Sequence, residues 1–173
     1  PPGKNFDLSA WKLQTIEGTD HAFAQVTNPT VLSTYTSSFF YTDNFDGAMV
    51  FRVPSDGGTT SANAVYPRVE LRQMREGANW PLTDSREHYL SARCRVTAVA
   101  EVKPKLIVGQ VHGSERNSEL LKLRWTGYAP NACFVEARFQ TNDPEGSEYG
   151  VVLAEGLSLG DEIDYTIPMQ SGL

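Results

Sequence analysis

Residues 88–99 read His-Tyr-Leu-Ser-Ala-Arg-Cys-Arg-Val-Thr-Ala-Val, and two kinds of side chain alternate along the whole stretch. Positions 88, 90, 92, 94, 96 and 98 carry His, Leu, Ala, Cys, Val and Ala, whereas the intervening positions carry Tyr, Ser, Arg, Arg and Thr. A period of two places successive side chains on opposite faces of a sheet. The stretch therefore predicts a β-strand with one face in the core and the other in water.

The same alternation recurs at 120–125 and 133–140. Shorter patterns predict further strands at 48–53, 106–112, 150–154 and 163–169. Turn-forming residues lie at 46–47, 56–58, 142–146 and 159–161. The segment 7–14 alone has a marginal helical pattern, with Asp7 or Ser9 as a candidate cap. Many strands and few helices predict the all-β class, an antiparallel β-sandwich or jelly roll that forms one domain over 1–173.

Composition sets limits on function. The chain has 173 residues, with 21 acidic and 15 basic side chains and a formal net charge of -6. An acidic balance argues against a general nucleic-acid binder, which needs an excess of Lys and Arg to neutralise phosphates. No apolar run approaches the roughly 18 residues of a spanning helix, and residues 1–6 lack a signal-peptide core. We therefore expect a soluble or already processed chain that does not enter a membrane.

The cysteine and histidine content argues against a metal centre. Cys94 and Cys133 fit either one disulfide across a long loop or two buried thiols, and both alternatives stay open. The three histidines are scattered, and no His-Glu-x-x-His pattern occurs. Residues 43–47 share part of a calcium-loop pattern without its full spacing, so a hairpin turn is the better interpretation. No metal and no cofactor are expected.

The first candidate site motif is a row of charged residues at 66–72, Tyr-Pro-Arg-Val-Glu-Leu-Arg. On a strand, Arg68, Glu70 and Arg72 project from the same face, with the carboxylate between two guanidiniums. Arginine presents a rigid fork of donors that matches a carboxylate, so the row suits anion binding. A solvated ladder of ion pairs on an outer sheet face is the plainer alternative, since exposed pairs contribute little.

A second motif, Gln110-Val111-His112, places an amide and an imidazole on one face of the strand 106–112. This pair suits carboxylate recognition together with proton transfer, although a partly buried histidine satisfied by glutamine is the simpler explanation. Lys122 and Arg124 share the polar face of the strand 120–125. Polar faces of three strands would then form a basic groove on an acidic protein.

The two motifs, with their spacing and flanks, resemble the Arg-x-Glu-Leu-Arg and Gln-Ile/Val-His motifs of the family-seven polysaccharide lyases, the alginate lyases. The resemblance extends upstream through 6–13, 40–43 and 58–60 and covers the whole chain in order. It implies a jelly roll whose concave face binds alginate, a polymer of mannuronate and guluronate, and cleaves it by β-elimination. It also implies a secreted or periplasmic bacterial enzyme that needs no cofactor.

The resemblance assigns roles to individual residues. Arg68, Gln110 and His112 correspond to the family's catalytic set, in which donors neutralise the uronate carboxylate and His112 is suited to act as base. Glu70 and Arg72 would organise the first row. From strand parity, Lys122 and Arg124 would hold flanking sugars.

Val111 bears on substrate preference, because the family associates Gln-Val-His with mannuronate-rich polymers. One methylene discriminates by only about 1 to 3 kcal/mol, so this indication of polymannuronate is weak. In mannuronate the C5 proton and O4 lie on the same side of the ring. One tyrosine could then perform both proton transfers, and His112 would help to neutralise the carboxylate.

The family's third motif, Tyr-Phe-Lys-Ala-Gly-x-Tyr-x-Gln, supplies a catalytic tyrosine and has no match in this sequence. The last tyrosine, Tyr165, lies in a predicted core strand. We therefore expect the missing strands and the catalytic tyrosine to belong to a C-terminal segment beyond Leu173. Alternatives are a non-catalytic jelly roll that binds an anionic polysaccharide, a lyase for another polyuronate such as glucuronan, and a purely structural sandwich.

Overall fold

The structure, a computed structural model, describes residues 1–59, 64–75, 87–112, 119–141 and 147–169. The chain divides into two compact units, 1–79 and 80–173, and each is described by itself. The predicted single domain over 1–173 stays a prediction. Among the described residues, no helix has the length and apolar character required to cross a bilayer.

The described residues of the first unit form a short 3-10 helix, one α-helix and five strands. The 3-10 helix is Pro2–Lys4, and the other elements are β1 (Trp11–Glu17), β2 (Ala22–Val26), α1 (Pro29–Thr34), β3 (Phe40–Thr42), β4 (Met49–Phe51) and β5 (Glu70–Gln73). β1 pairs with β2 on one side and with β5 on the other, and both pairings are antiparallel. β3 and β4 form an antiparallel hairpin. The hairpin confirms the predicted turn at 43–47, where Gly47 has a φ of 76°.

The helix predicted at 7–14 is wrong. Residues from Trp11 onward belong to β1, because Leu13 and Ile16 are fully buried and the strand pairs on both sides. Asp7 caps no helix; its carboxylate accepts a hydrogen bond from the Ser9 N–H at 2.9 Å, which is an Asx turn leading into the strand. Sheet pairing therefore overrides a weak local helical pattern.

The helix α1 was not predicted from the sequence, although its start carries a recognisable signal. Asn28 is the N-cap, and its side-chain oxygen accepts from the N–H groups of Thr30 and Val31. Pro29 follows at the first helical position, where the missing N–H costs nothing. Leu32 is the residue that the helix buries, within the core of the first unit.

In the part of the second unit that the structure describes, there are six strands. They are β6 (His88–Arg95), β7 (Lys105–His112), β8 (Glu119–Thr126), β9 (Cys133–Gln140), β10 (Glu148–Leu157) and β11 (Glu162–Met169). Strands β7 to β10 form one antiparallel sheet in the order β10-β9-β8-β7, and β6 pairs with β11. The strand predicted at 133–140 is confirmed with its bounds, and those predicted at 88–99, 106–112, 120–125, 150–154 and 163–169 are confirmed with shifted ends. The predicted turn at 142–146 lies outside the described residues.

The apolar faces of the two sheets in this unit pack together. Trp125 and Cys133 from the four-stranded sheet, both almost fully buried, meet Ile163 of β11. Further along, Leu123 and Ala137 pack with Ile167. Both cysteines are free thiols, so the predicted disulfide is not formed, and of the two thiols Cys133 is buried and Cys94 is half-buried. Burial raises the pKa of both thiols and keeps them protonated.

Tyr165 links β11 to the four-stranded sheet through a hydrogen bond. Its hydroxyl donates to the Val108 carbonyl oxygen at 2.7 Å. Gly109 makes room for the ring, because a Cβ there would lie 2.6 Å from the Tyr165 hydroxyl oxygen. Burial raises the pKa of Tyr165 to about 12, so the phenol keeps its proton as a donor at all moderate pH values.

We predict that Tyr165→Phe lowers the free energy of unfolding by about 1 to 3 kcal/mol, because the Val108 carbonyl loses a buried partner. Urea unfolding at neutral pH measures the loss. The control is Tyr149→Phe, since Tyr149 is 54% exposed. The raised pKa also makes the wild-type lose stability as the pH rises from 10 to about 12, whereas Tyr165→Phe lacks this contribution. Equal losses in both variants would contradict the assignment.

Candidate functional site

The first candidate row lies at β5, which within the described ranges is an edge strand, and its three charged side chains are grouped as predicted. Arg68 Nη1 lies 3.9 Å and Arg72 Nη2 3.6 Å from the same oxygen of Glu70, Oε1. Arg68 precedes the strand, which begins at Glu70. All three side chains are partly exposed, and the contacts are longer than hydrogen bonds. The two guanidiniums are thus held near each other and still accessible to a ligand.

Lys12 adds a third cation to this row, which sequence reasoning missed. The register of β1 and β5 places Lys12 opposite Arg72 and Gln14 opposite Glu70. Burial, followed by the neighbouring Arg72 guanidinium, lowers the pKa of Lys12 below its usual value. Three cations therefore accompany one carboxylate. An excess of positive charge on a partly buried face favours an anionic ligand.

The second candidate row lies on the outer face of the four-stranded sheet. Strict alternation would put Gln110 on the same face as Val108. A β-bulge between Ile107 and Gly109 inserts Val108 as an extra residue and reverses the parity beyond it. Leu106 and Val108 thus pack in the core, whereas Gln110 lies opposite Lys122 on the outer face.

The outer face carries a continuous network of alternating charges. At one end, Arg124 donates from Nε and Nη2 to Glu136 Oε1 at 2.9 and 2.6 Å. Arg138 Nη1 lies 3.5 Å from Glu136 Oε2, and its Nη2 donates to Glu148 Oε2 at 3.3 Å. Lys122 Nζ donates to Glu148 Oε1 at 2.8 Å.

The network ends at the predicted histidine. Lys122 Nζ lies 4.0 Å from Glu119 Oε2, and His112 Nε2 lies 3.6 Å from Glu119 Oε1. The structure therefore brings Gln110, His112, Lys122 and Arg124 onto one face, as the sequence predicts. Arg68, Glu70 and Arg72 form a separate group in the first unit.

The second row by itself lacks the excess of positive charge that a basic groove would have. Its three permanent cations, Lys122, Arg124 and Arg138, contact three carboxylates, Glu119, Glu136 and Glu148. The alternation at 133–140 predicts that Glu136 and Arg138 share the polar face of that strand, but it gives no indication of their role. Glu148 lay outside the predicted strand 150–154. In the absence of a ligand, this row is balanced in charge.

The remaining histidines lie outside both rows. His21 Nδ1 lies 3.0 Å from Asp56 Oδ1, and its ring meets Phe39 edge to face. His88 begins β6, opposite Met169 of β11.

The protein is thus built from antiparallel sheets. Its two rows contain cations, an amide and one imidazole, groups that suit a ligand with a chain of negative charges. A family model for alginate lyases matches residues 6–172. The chain therefore belongs to the alginate lyase family.

Individual relatives agree with this assignment. The chain is 39% identical over 75 residues to an alginate lyase of Klebsiella pneumoniae, an alignment covering 42% of this chain and 24% of that protein. It therefore aligns with about a quarter of that curated relative's length.

Solved structures show the same fold. The alginate lyase A1-II′, described as a member of polysaccharide lyase family 7, has a TM-score of 0.81 at 32% identity over 99% of this chain and 73% of its own. An alginate lyase of Pseudomonas aeruginosa has a TM-score of 0.79 at 24% identity, covering 96% of this chain and 74% of that one. These matches confirm the predicted fold class, an antiparallel β-sandwich of the jelly-roll type.

The second row predicts a dependence of stability on pH. The hydrogen bond from Lys122 lowers the pKa of Glu148 below its usual 4.5, despite burial, and Arg138 adds to the effect. A lowered folded-state pKa means that Glu148 contributes stability above about pH 4.5, which is lost as the pH falls through the lowered value.

We predict that wild-type protein exceeds Glu148→Gln in stability at neutral pH and that this difference shrinks as the pH falls below 4.5. Urea unfolding at a series of pH values measures the difference. Glu155→Gln, an exposed position on the same strand, serves as the control. A difference between wild-type and Glu148→Gln that stays constant with pH would contradict the assignment.

Proposed function

We propose that the protein is an alginate lyase, a carbon–oxygen lyase that cleaves the glycosidic bond of alginate by β-elimination. Family membership over residues 6–172 supports the class of reaction. The observation that carries the proposal is the pair of motif rows, each assembled on its own sheet from donors suited to a uronate. Polymannuronate is the proposed preferred substrate.

The chemistry of β-elimination explains these residue types. The proton at C5 of a uronate is weakly acidic while the neighbouring carboxylate is charged, so the enzyme has to neutralise that group first. In the proposal, Arg68 and Gln110 donate strong hydrogen bonds to the carboxylate, which stabilises charge that develops after deprotonation. Glu70 and Arg72 orient the first row, and Lys122 and Arg124 bind flanking sugars.

His112 has two proposed roles that depend on the substrate. As a neutral imidazole it accepts the C5 proton, while an acid protonates the O4 leaving group and an unsaturated sugar forms. On mannuronate, a tyrosine performs both transfers and His112 assists in neutralising the carboxylate. Neither route uses a cofactor.

We propose that a further segment of the same protein supplies the tyrosine. Tyr165 is unsuited to this role, because it donates to Val108 within the core and its pKa is raised to about 12. Among the described residues, β7 is an edge strand of its sheet, and β5 is an edge strand of its own. An edge strand has unpaired backbone groups that accept another strand.

Val111 acts on substrate preference indirectly in this proposal. Its side chain packs with the apolar cluster of Leu123, Ala137 and Ile167, on the face opposite to Gln110. A change at Val111 would therefore alter mannuronate preference by shifting the strand that carries Gln110 and His112. Because its substrate is a large polymer met outside the cell, we propose that the protein is secreted or periplasmic.

One observation favours a second candidate, a jelly roll that binds an anionic polysaccharide without cleaving it. Tyr165, the last tyrosine of the chain, is engaged in the core and takes no part in either row. A lyase acting on another polyuronate such as glucuronan would use the same groups. Product formation separates these possibilities.

We predict that Arg68→Ala and His112→Ala each reduce turnover of polymannuronate by at least about 10²-fold, the usual size of an acid–base or carboxylate-stabilising contribution. Ultraviolet absorbance of the unsaturated product measures turnover in the complete protein. The control is Arg93→Ala, an exposed arginine of β6 that pairs with Asp164. A binding module would show no product and would lose affinity mainly in Arg68→Ala. No product from the parent protein would refute the lyase proposal, and unchanged turnover in both variants would refute the roles proposed for Arg68 and His112.

A further inference from the structure

Two carboxylates in the second row differ sharply in exposure. Both contact the Arg138 guanidinium, yet the Glu136 side chain is 9% exposed and the Glu148 side chain is 25% exposed. A buried carboxylate can leave its partners only at a high cost in free energy, whereas an accessible one exchanges more easily with another anion. The two glutamates therefore differ in how readily they leave their partners, and their contacts show the same difference.

Glu136 holds the guanidiniums of Arg124 and Arg138 in fixed positions. Its Oε1 accepts two hydrogen bonds from Arg124, and its Oε2 faces Arg138 Nη1 at 3.5 Å. Gly150 of β10 leaves the space that this arrangement requires, because a Cβ there would lie 2.6 Å from Glu136 Oε2 and 3.0 Å from Arg138 Nη1. Among the described residues, Glu136 occupies Nε and Nη2 of Arg124, which leaves Nη1 for a further acceptor.

Glu148 is held less firmly than Glu136, so another carboxylate can take its place beside Lys122 and Arg138. Its Oε1 accepts from Lys122 at 2.8 Å, while its bonds from Arg138 are long, at 3.3 and 3.4 Å. It lies at the first position of β10, an edge strand among the described residues. A carboxylate held between an ammonium and a guanidinium has the same chemistry as the carboxylate of a uronate sugar.

We propose that Lys122 and Arg138 form a carboxylate subsite for the anionic polysaccharide, and that Glu148 occupies this subsite until a uronate carboxylate displaces it. Glu136 is the positioning residue that holds Arg124 and Arg138 in place. The inference rests on the proposed function, which supplies the polymer, and it extends that function to Glu136, Arg138 and Glu148.

The proposal predicts opposite effects from the same chemical change at the two glutamates. Glu148→Gln removes the competing charge, so polymannuronate binds more tightly, by about two- to fivefold, as expected for the loss of one accessible ion pair. Glu136→Gln releases the two arginines and leaves them without their shared carboxylate. Binding then weakens by about tenfold.

The opposite signs distinguish this proposal from two simpler accounts. If the network only stabilised the fold, both variants would weaken binding. If only net charge mattered, both variants would strengthen binding of a polyanion, since each removes one negative charge.

The test measures the dissociation constant for polymannuronate by titration calorimetry, in a His112→Ala background that keeps the polymer intact. The Glu155→Gln variant removes one negative charge from an exposed position of β10 outside the network and controls for net charge. Thermal unfolding of each variant shows whether it is folded at the assay temperature. If Glu136→Gln is not, Glu136→Asp replaces it, since the shorter side chain keeps the charge but withdraws it from the arginines.

Tighter binding by Glu148→Gln, weaker binding by the Glu136 variant and unchanged binding by Glu155→Gln would support the proposal. Shifts of both glutamate variants in the same direction, or no shift in Glu148→Gln, would overturn it while leaving the lyase proposal intact. A parent protein that binds no polymannuronate would overturn the proposed function and this inference together.

Discussion

The packing of one apolar sheet face onto β6 and β11 determines where the charged groups of the second unit lie. Trp125 and Leu123 of β8 must face inward, so Arg124 between them and Lys122 before them face outward. The same alternation holds in the neighbouring strands. Side chains opposite each other in a sheet have Cβ atoms about 4.5 to 5.5 Å apart. Burial on one face therefore forces cations together on the other.

Cations this close together repel one another unless carboxylates compensate their charge. The two rows differ in how many carboxylates they contain. The first row has one carboxylate, Glu70, beside Lys12, Arg68 and Arg72, and so keeps an excess of positive charge. The second row matches every permanent cation with a glutamate. A row with excess charge suits neutralisation of a substrate carboxylate, whereas a balanced row suits exchange of one carboxylate for another. This difference underlies the proposed roles of Arg68 in neutralising the substrate carboxylate and of Lys122 and Arg138 in binding a second carboxylate.

Strand parity could be predicted from the sequence, because a period of two is a local property. The strand 133–140 was predicted with the bounds that the structure shows. The bulge at Val108 and the contacts of Glu148 depend on register between strands, which a single sequence does not reveal. The helix predicted at 7–14 is wrong because a short helical segment is less stable than β1, which pairs with a strand on both sides. The cap at Asn28 was a local signal that could have been recognised.

The most direct test of this account is a crystal structure of the complete protein, as the His112→Ala variant, with a mannuronate oligosaccharide bound. The account predicts sugar carboxylates on the outer face of the four-stranded sheet, within hydrogen-bonding distance of Gln110 and of Lys122 or Arg124. An oligosaccharide bound instead on the face of β6 and β11 that carries Arg93 and Asp164 would contradict it.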